Sequence, residues 1–191
     1  HGLRSSRRSQ GYWGAAERYE TSLATLSSLA EREASEPGRK LLVWISPGWP
    51  LLSGPNVLMS QPEQRSIFGS IVKLTAQLRR ADATLYTFDP LGAGASMSHQ
   101  FYYESFVKGV ASDRGVESGS LALQVLSIQS GGLVLNASND IAGRIARVAN
   151  DANAYYVLSM KIPPVEHPDE YQSVQVKVNK PGLTARTRRG Y

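Results

Sequence analysis

Two short runs, LLVWIS at residues 41–46 and ATLYTF at residues 83–88, constrain this chain more than any other feature. The first is apolar on both faces and is closed by Pro47 and Gly48; the second is rich in β-formers and ends at Asp89 and Pro90. A strand with no polar face must be covered on both sides, as in a parallel sheet packed between helices. The stretches around these runs supply such helices. From Ala15, the apolar positions Tyr19, Leu23, Leu26 and Ala30 recur at helical spacing until Pro37 and Gly38 stop the pattern. Ser60, Gln61, Pro62 and Glu63 form a capping box with Pro in the first turn, and Phe68, Ile71, Val72, Thr75 and Leu78 give the next buried stripe.

The pattern continues downstream. Leu121, Val125 and Ile128 predict a helix ended by Gly131 and Gly132, and LVLNA at residues 133–137 predicts a third strand. Ser138 or Asn139 can cap a last helix with Asp140 in its first turn and Ile141, Ile145, Val148 and Ala152 as its stripe. Helix and strand alternate throughout, which predicts a parallel sheet sandwiched by helices. After Asn153 the pattern changes: YYVLSMKI at 155–162 and SVQVKVN at 173–179 read as an antiparallel hairpin with one wet face, followed by a weakly alternating stretch at 183–189.

The expected organisation is therefore a basic flexible arm at 1–14, an α/β domain at 15–153, and a C-terminal β-hairpin extension of the same domain at 154–191. A length of 191 residues fits one domain, and 41% hydrophobic with 19% charged residues allows a real core. The absence of cysteine excludes disulfides, thiolate metal sites and cysteine nucleophiles. The formal charge of +5 permits a polyanionic partner without requiring one. No apolar run approaches the length of a membrane span. The chain starts at His1 with neither Met nor an apolar leader, so it reads as a processed or cut piece of something longer.

In an open α/β sheet, ligands bind at the carboxyl ends of the strands, so the loops at 46–49, 89–98 and 136–140 are where chemistry is sought. Asp89 is a carboxylate directly at a strand end, a metal or substrate ligand in one reading and an Asx-type turn before Pro90 in the other. The glycines at 92 and 94 lack the spacing of a phosphate-binding loop. His99 and His167 form no paired metal motif, and no GxSxG elbow is present. Hydrolase chemistry would rest on Asp89 and His99. Phe101, Tyr102, Tyr103 and Phe106 are either partner contacts in a long connector or a short core helix. Arg186, Arg188 and Arg189, with the basic arm, offer a polyanion surface, but Glu31, Glu33, Glu36, Glu166, Asp169 and Glu170 interrupt it, so nucleic acid is disfavoured.

Four segments resemble the von Willebrand factor type A related domains abundant in acidobacterial proteins. These are PGRKLLVWISPGWPLLSG at 37–54, LYTFDPLG at 85–92, the helix at 139–153 running into AYYVLSM at 154–160, and VQVKVNKPGLTARTRRGY at 174–191. The resemblance implies a Rossmann-like, vWA-like sheet. In integrin-type relatives its top edge binds a divalent cation such as Mg²⁺ that bridges to a carboxylate of the protein partner. That site uses D-x-S-x-S, a Thr, and an Asp after the strand matching residues 41–45. No D-x-S-x-S occurs here, and Pro47 stands at the expected Asp. Ser46 and Asp89 are then the remaining weak metal candidates, a poor set for a hard cation. Either this is the second half of a domain whose first strands lie upstream, or it is a divergent member that works without metal.

The reading that follows is a non-enzymatic interaction module, without cofactor, that binds a protein partner through loops at the sheet's carboxyl edge. Its partner-binding candidates are Trp49, Ser53, Asp89, His99, Phe101 and Tyr102. Trp49 is the first anchor candidate, its alternative being a loop residue folded back onto the sheet. The resemblance also implies an exported, secreted or cell-envelope location.

Overall fold

The computed structural model describes residues 12–46, 49, 59–90, 122–135, 140–153, 155–161, 173–183 and 185–190. Helix α1 (Tyr12–Glu33) starts before the Ala15 expected from periodicity, and it buries Tyr19, Leu26 and Ala30. Strand β1 (Lys40–Ile45) follows the Pro37-Gly38 break. Helix α2 (Gln61–Arg80) opens with the capping box: Ser60 N–H donates to the Glu63 carboxylate at 2.7 Å. Next come strand β2 (Ala83–Phe88), helix α3 (Leu123–Gln129), strand β3 (Val134–Leu135) and helix α4 (Ile141–Asn150).

The three strands form one parallel sheet in the order β1-β2-β3, with Lys40 paired to Ala83, Ile45 to Phe88, and Phe88 to Leu135. Successive strands step in one direction, so crossovers of the same hand place α2 and α3 on the same face. The packing agrees. Leu42, Trp44, Ala83 and Leu85 point to a core shared with α1, α2 and α3, while Leu41, Val43, Tyr86, Phe88, Leu133 and Leu135 point to the opposite core, closed by Val148 of α4. The period-two alternation of each strand thus feeds two cores, as the apolar runs require. Every residue of β2 is buried, whereas β1 is only half-buried.

Several details depart from the sequence expectation. The buried face of α2 runs through Leu74, Gln77 and Leu78, with Ile67, Phe68 and Ile71 partly covered; Val72 is 52% exposed because it lies one helical step off that face. The N-cap of α4 is Asp140 itself, whose side chain accepts from Gly143 N–H at 2.8 Å, rather than Ser138 or Asn139. In α4 only Val148 is buried, and Ala152 lies in the exposed turn beyond the helix. The third strand is described only at residues 134–135, and 136–139 lie outside the described residues.

The C-terminal hairpin expected between 155–162 and 173–179 is not seen among the described residues. Residues 155–161 make no ladder among the described residues. The antiparallel contact instead joins Ser173 to Gly190, with Val174 N–H donating to Arg189 C=O at 2.8 Å. The chain reverses near Pro181 and Gly182, a direct consequence of the left-handed φ of 79° that Gly182 adopts. Arg189 N–H donates to Gln129 C=O at 3.2 Å and Arg79 to Gly190 C=O at 3.4 Å, so the tail is fastened to the ends of α3 and α2.

Candidate functional site at the carboxyl edge of the sheet

The parallel sheet brings the ends of β1 and β2 side by side. Ser46 N–H donates to Phe88 C=O at 2.9 Å, and Asp89 N–H donates to Leu135 C=O at 3.3 Å. Main-chain bonds therefore hold Ser46 and Asp89 at neighbouring register positions, both half-buried at the edge. The Ser46 hydroxyl also accepts from Trp44 Nε1 at 3.2 Å, which fixes its direction. Asp140, beyond β3 at the same edge, uses its carboxylate on the cap of α4.

Trp49 is 2% exposed and meets Tyr19 of α1 edge-on, with ring centroids 5.1 Å apart and planes at 90°. It occupies the core, matching its folded-back alternative, so its ring presents no open surface for anchoring a partner. Burial also raises the Tyr19 phenol pKa, with Glu20 adding to the effect, and no hydrogen bond reaches that hydroxyl. Ser53, His99, Phe101 and Tyr102 lie outside the described residues, as do Pro47, Tyr103 and Phe106. The described part of the site is therefore Ser46 and Asp89. Among the described residues no group of three or more His, Asp or Glu comes together. The pair offers one carboxylate and one hydroxyl, fewer than the six to eight oxygens Ca²⁺ takes, so further ligands would have to come from elsewhere.

A second polar cluster lies at the opposite, amino end of the sheet, and sequence reasoning did not find it. Tyr86 of β2 is completely buried and donates its hydroxyl to Asp151 Oδ2 at 2.8 Å. Arg39, just before β1, donates to the same hydroxyl oxygen at 3.3 Å and to Asp151 C=O at 3.0 Å. Arg186 of the tail pairs with the Asp151 carboxylate and lies over the Tyr86 ring, 5.8 Å from its centroid. Burial first, and then the Asp151 carboxylate, raise the Tyr86 pKa, with the two arginines opposing. The available signal was a Tyr inside an apolar strand, where a buried hydroxyl needs a partner. This cluster ties the tail and the end of α4 to the sheet. Arg188 likewise pairs with Asp82 at 2.8 Å, so two of the arginines read as a polyanion surface, Arg186 and Arg188, are engaged with the protein's own carboxylates. No described helix is long and apolar enough to cross a membrane.

Comparison with protein-family models, with curated proteins and with solved structures finds no match.

Proposed function

We propose that this chain is a vWA-like, non-enzymatic interaction module that binds a protein partner through the loops at the carboxyl edge of its sheet. Supporting it are the four family-like segments and, above all, the register that sets Ser46 and Asp89 side by side at that edge. Parallel α/β sheets present ligand-binding loops at this end because every strand delivers its following loop there. Pro47 supplies no side-chain oxygen where the resembled family has Asp, so recognition here proceeds without a complete metal-ion-dependent adhesion site, and without a cofactor. The proposed setting is a secreted or cell-envelope one, as the resemblance implies.

The test is affinity capture from cell-envelope extract, in EDTA, with wild type, Asp89→Lys, and a control variant at an exposed residue of the C-terminal tail, Lys177→Glu. The reading expects a protein retained in EDTA by wild type and by Lys177→Glu, and lost with Asp89→Lys. A partner held equally by all three would overturn the assignment of the edge, and turnover of ester or peptide substrates lost in Asp89→Asn would overturn the non-enzymatic reading.

A further inference from the structure

The C-terminal tail is fastened to the rest of the chain by a different kind of contact from the helices and strands. Neither apolar core takes a side chain from residues 173–190. Among the described residues of this tail none is buried, and Val178 and Leu183 are 44% and 56% exposed. What holds it is polar. Arg186 pairs with the Asp151 carboxylate and Arg188 with Asp82 at 2.8 Å, while Arg189 N–H donates to Gln129 C=O and Arg79 to Gly190 C=O. The tail main chain crosses Gly131 so closely that an added Cβ there would meet the Thr187 carbonyl carbon at 3.0 Å. Beside that contact the junction is not filled. A small cavity remains, with Thr75, Gln129 and Ser130 on one wall and Arg188 and Gly190 of the tail on the other, so the tail forgoes part of the dispersion contact that a packed element makes.

We infer that the C-terminal tail is a strap over the amino end of the sheet, clasped by Arg186 and Arg188, that lifts while the sheet and its helices stay folded. Segments open locally when they make few buried apolar contacts and their hydrogen bonds lie near solvent. The tail meets both conditions. Water reaches both ion pairs: the side chains of Arg186 and Asp151 are 33% and 25% exposed, and those of Arg188 and Asp82 are 30% and 57% exposed. Pairs this open contribute little each and weaken with salt. Lifting also leaves no charge buried alone. Asp82 returns to water, and Asp151 keeps the Tyr86 hydroxyl at 2.8 Å on its carboxylate and Arg39 at 3.0 Å on its C=O. The lifted state bares the two carboxylates and the end of α3 at Gln129, Ser130 and Gly131, which the closed tail covers. This device sits at the end of the sheet opposite Ser46 and Asp89 and stands independently of the function proposed for them.

Amide hydrogen exchange, followed residue by residue by NMR on the whole chain, tests this. The Arg189 amide, bonded to Gln129 C=O at 3.2 Å, reports the strap, and the Thr87 amide, bonded to Leu133 C=O at 3.1 Å, reports the central strand. After correction for intrinsic rates, Arg189 should exchange at least about 100-fold faster than Thr87 and show no dependence on urea below about 1 M, the mark of a local opening that exposes little surface. Raising NaCl from about 0.1 M to 1 M shortens the Debye length from about 10 to 3 Å and should speed Arg189 further. Asp82→Asn, which suits the left-handed φ of 50° at that position, should speed Arg189 about two- to fivefold, as should Arg186→Gln, with Thr87 unchanged. Exchange of Arg189 at the rate and urea slope of Thr87 would make the tail part of the global folding unit and overturn the inference. An Arg189 rate that neither substitution moves would show that the arginines do not clasp the tail and would overturn it equally.

Discussion

Leu85 lies in the middle of the central strand, yet β3 pairs only with Thr87 and Phe88 and does not reach back to it. Its main-chain groups on that side are met by two hydroxyls from the end of α3. Leu85 N–H donates to Ser130 Oγ at 2.9 Å, and Ser127 Oγ donates to Leu85 C=O at 2.7 Å. Ser130 sends its own proton to Ser127 C=O at 2.8 Å, with Leu85 C=O more distant at 3.4 Å. Ser127 is fully buried and Ser130 nearly so. Replacing Ser130 by Ala leaves Leu85 N–H buried without an acceptor, a loss of about 1–3 kcal/mol. For a chain of this size that lowers the melting temperature by roughly 2–4 °C per kcal/mol. Ser127→Ala should cost less, because the Ser130 hydroxyl can rotate onto Leu85 C=O. The double variant should then exceed the sum of the singles by about 0.5 kcal/mol or more, since no hydroxyl remains to compensate. Urea unfolding followed by circular dichroism gives all three values. Ser70→Ala, which removes a surface bond to Ser66 C=O, is the control and should stay within ~0.5 kcal/mol. If Ser130→Ala matches the Ser70→Ala control, the hydroxyls are not what completes the central strand.

The same junction predicts that Gly132→Ala is among the most damaging small substitutions: an added Cβ would fall 1.8 Å from Leu85 C=O, so the strand or the helix end must move, visible as loss of more than about 3 kcal/mol or of soluble protein. Tyr19→Phe should be neutral or stabilising by up to about 1 kcal/mol in the same urea assay, because it removes a buried hydroxyl that has no hydrogen bond; a loss above 1 kcal/mol would contradict that. Tyr86 has a folded pKa above its ordinary value of 10.0, so its contribution is complete below pH 10 and declines as pH rises through the folded pKa, when the unfolded chain gives up its proton first. Tyr86→Phe should cost about 1.5–3 kcal/mol at pH 7 through the lost bond to Asp151 and should flatten the alkaline fall in stability; an unchanged fall would show that Tyr86 is not its source.

Much of the layered architecture is legible in the amino-acid sequence because it rests on local signals. The bounds of β2 coincide with ATLYTF, where Asp89 and Pro90 end an apolar run, and the start of α2 coincides with its capping box. The end of α3 is equally local: Gly131, at φ 87°, and Gly132 close it with N–H bonds to Ile128 and Ser127 C=O at 3.1 and 3.0 Å, the Schellman arrangement. What the pattern does not carry is pairing between distant segments. The run at 155–162 and that at 173–179 alternate well enough for a hairpin, but alternation says only that a segment can be a strand, and 173–174 finds its partner at 189–190. Trp49 shows the same limit at the site. A Trp in a Pro- and Gly-rich loop suits an interface and a core equally well, and only the position of Tyr19 decides between them. The Tyr86, Asp151, Arg39 and Arg186 cluster joins four segments far apart in the chain, with no motif to announce it.

The central claim is an interaction edge that works without a complete metal site, and the thermal unfolding midpoint of the wild-type chain tests it most directly. Measured in EDTA and then in millimolar Mg²⁺, Mn²⁺ and Ca²⁺, the midpoint should stay the same within error, because a cation with no folded-state site shifts nothing. A rise of several degrees with any one of them, abolished by Asp89→Asn, would contradict the account and establish a metal-bridged edge at Ser46 and Asp89 despite Pro47.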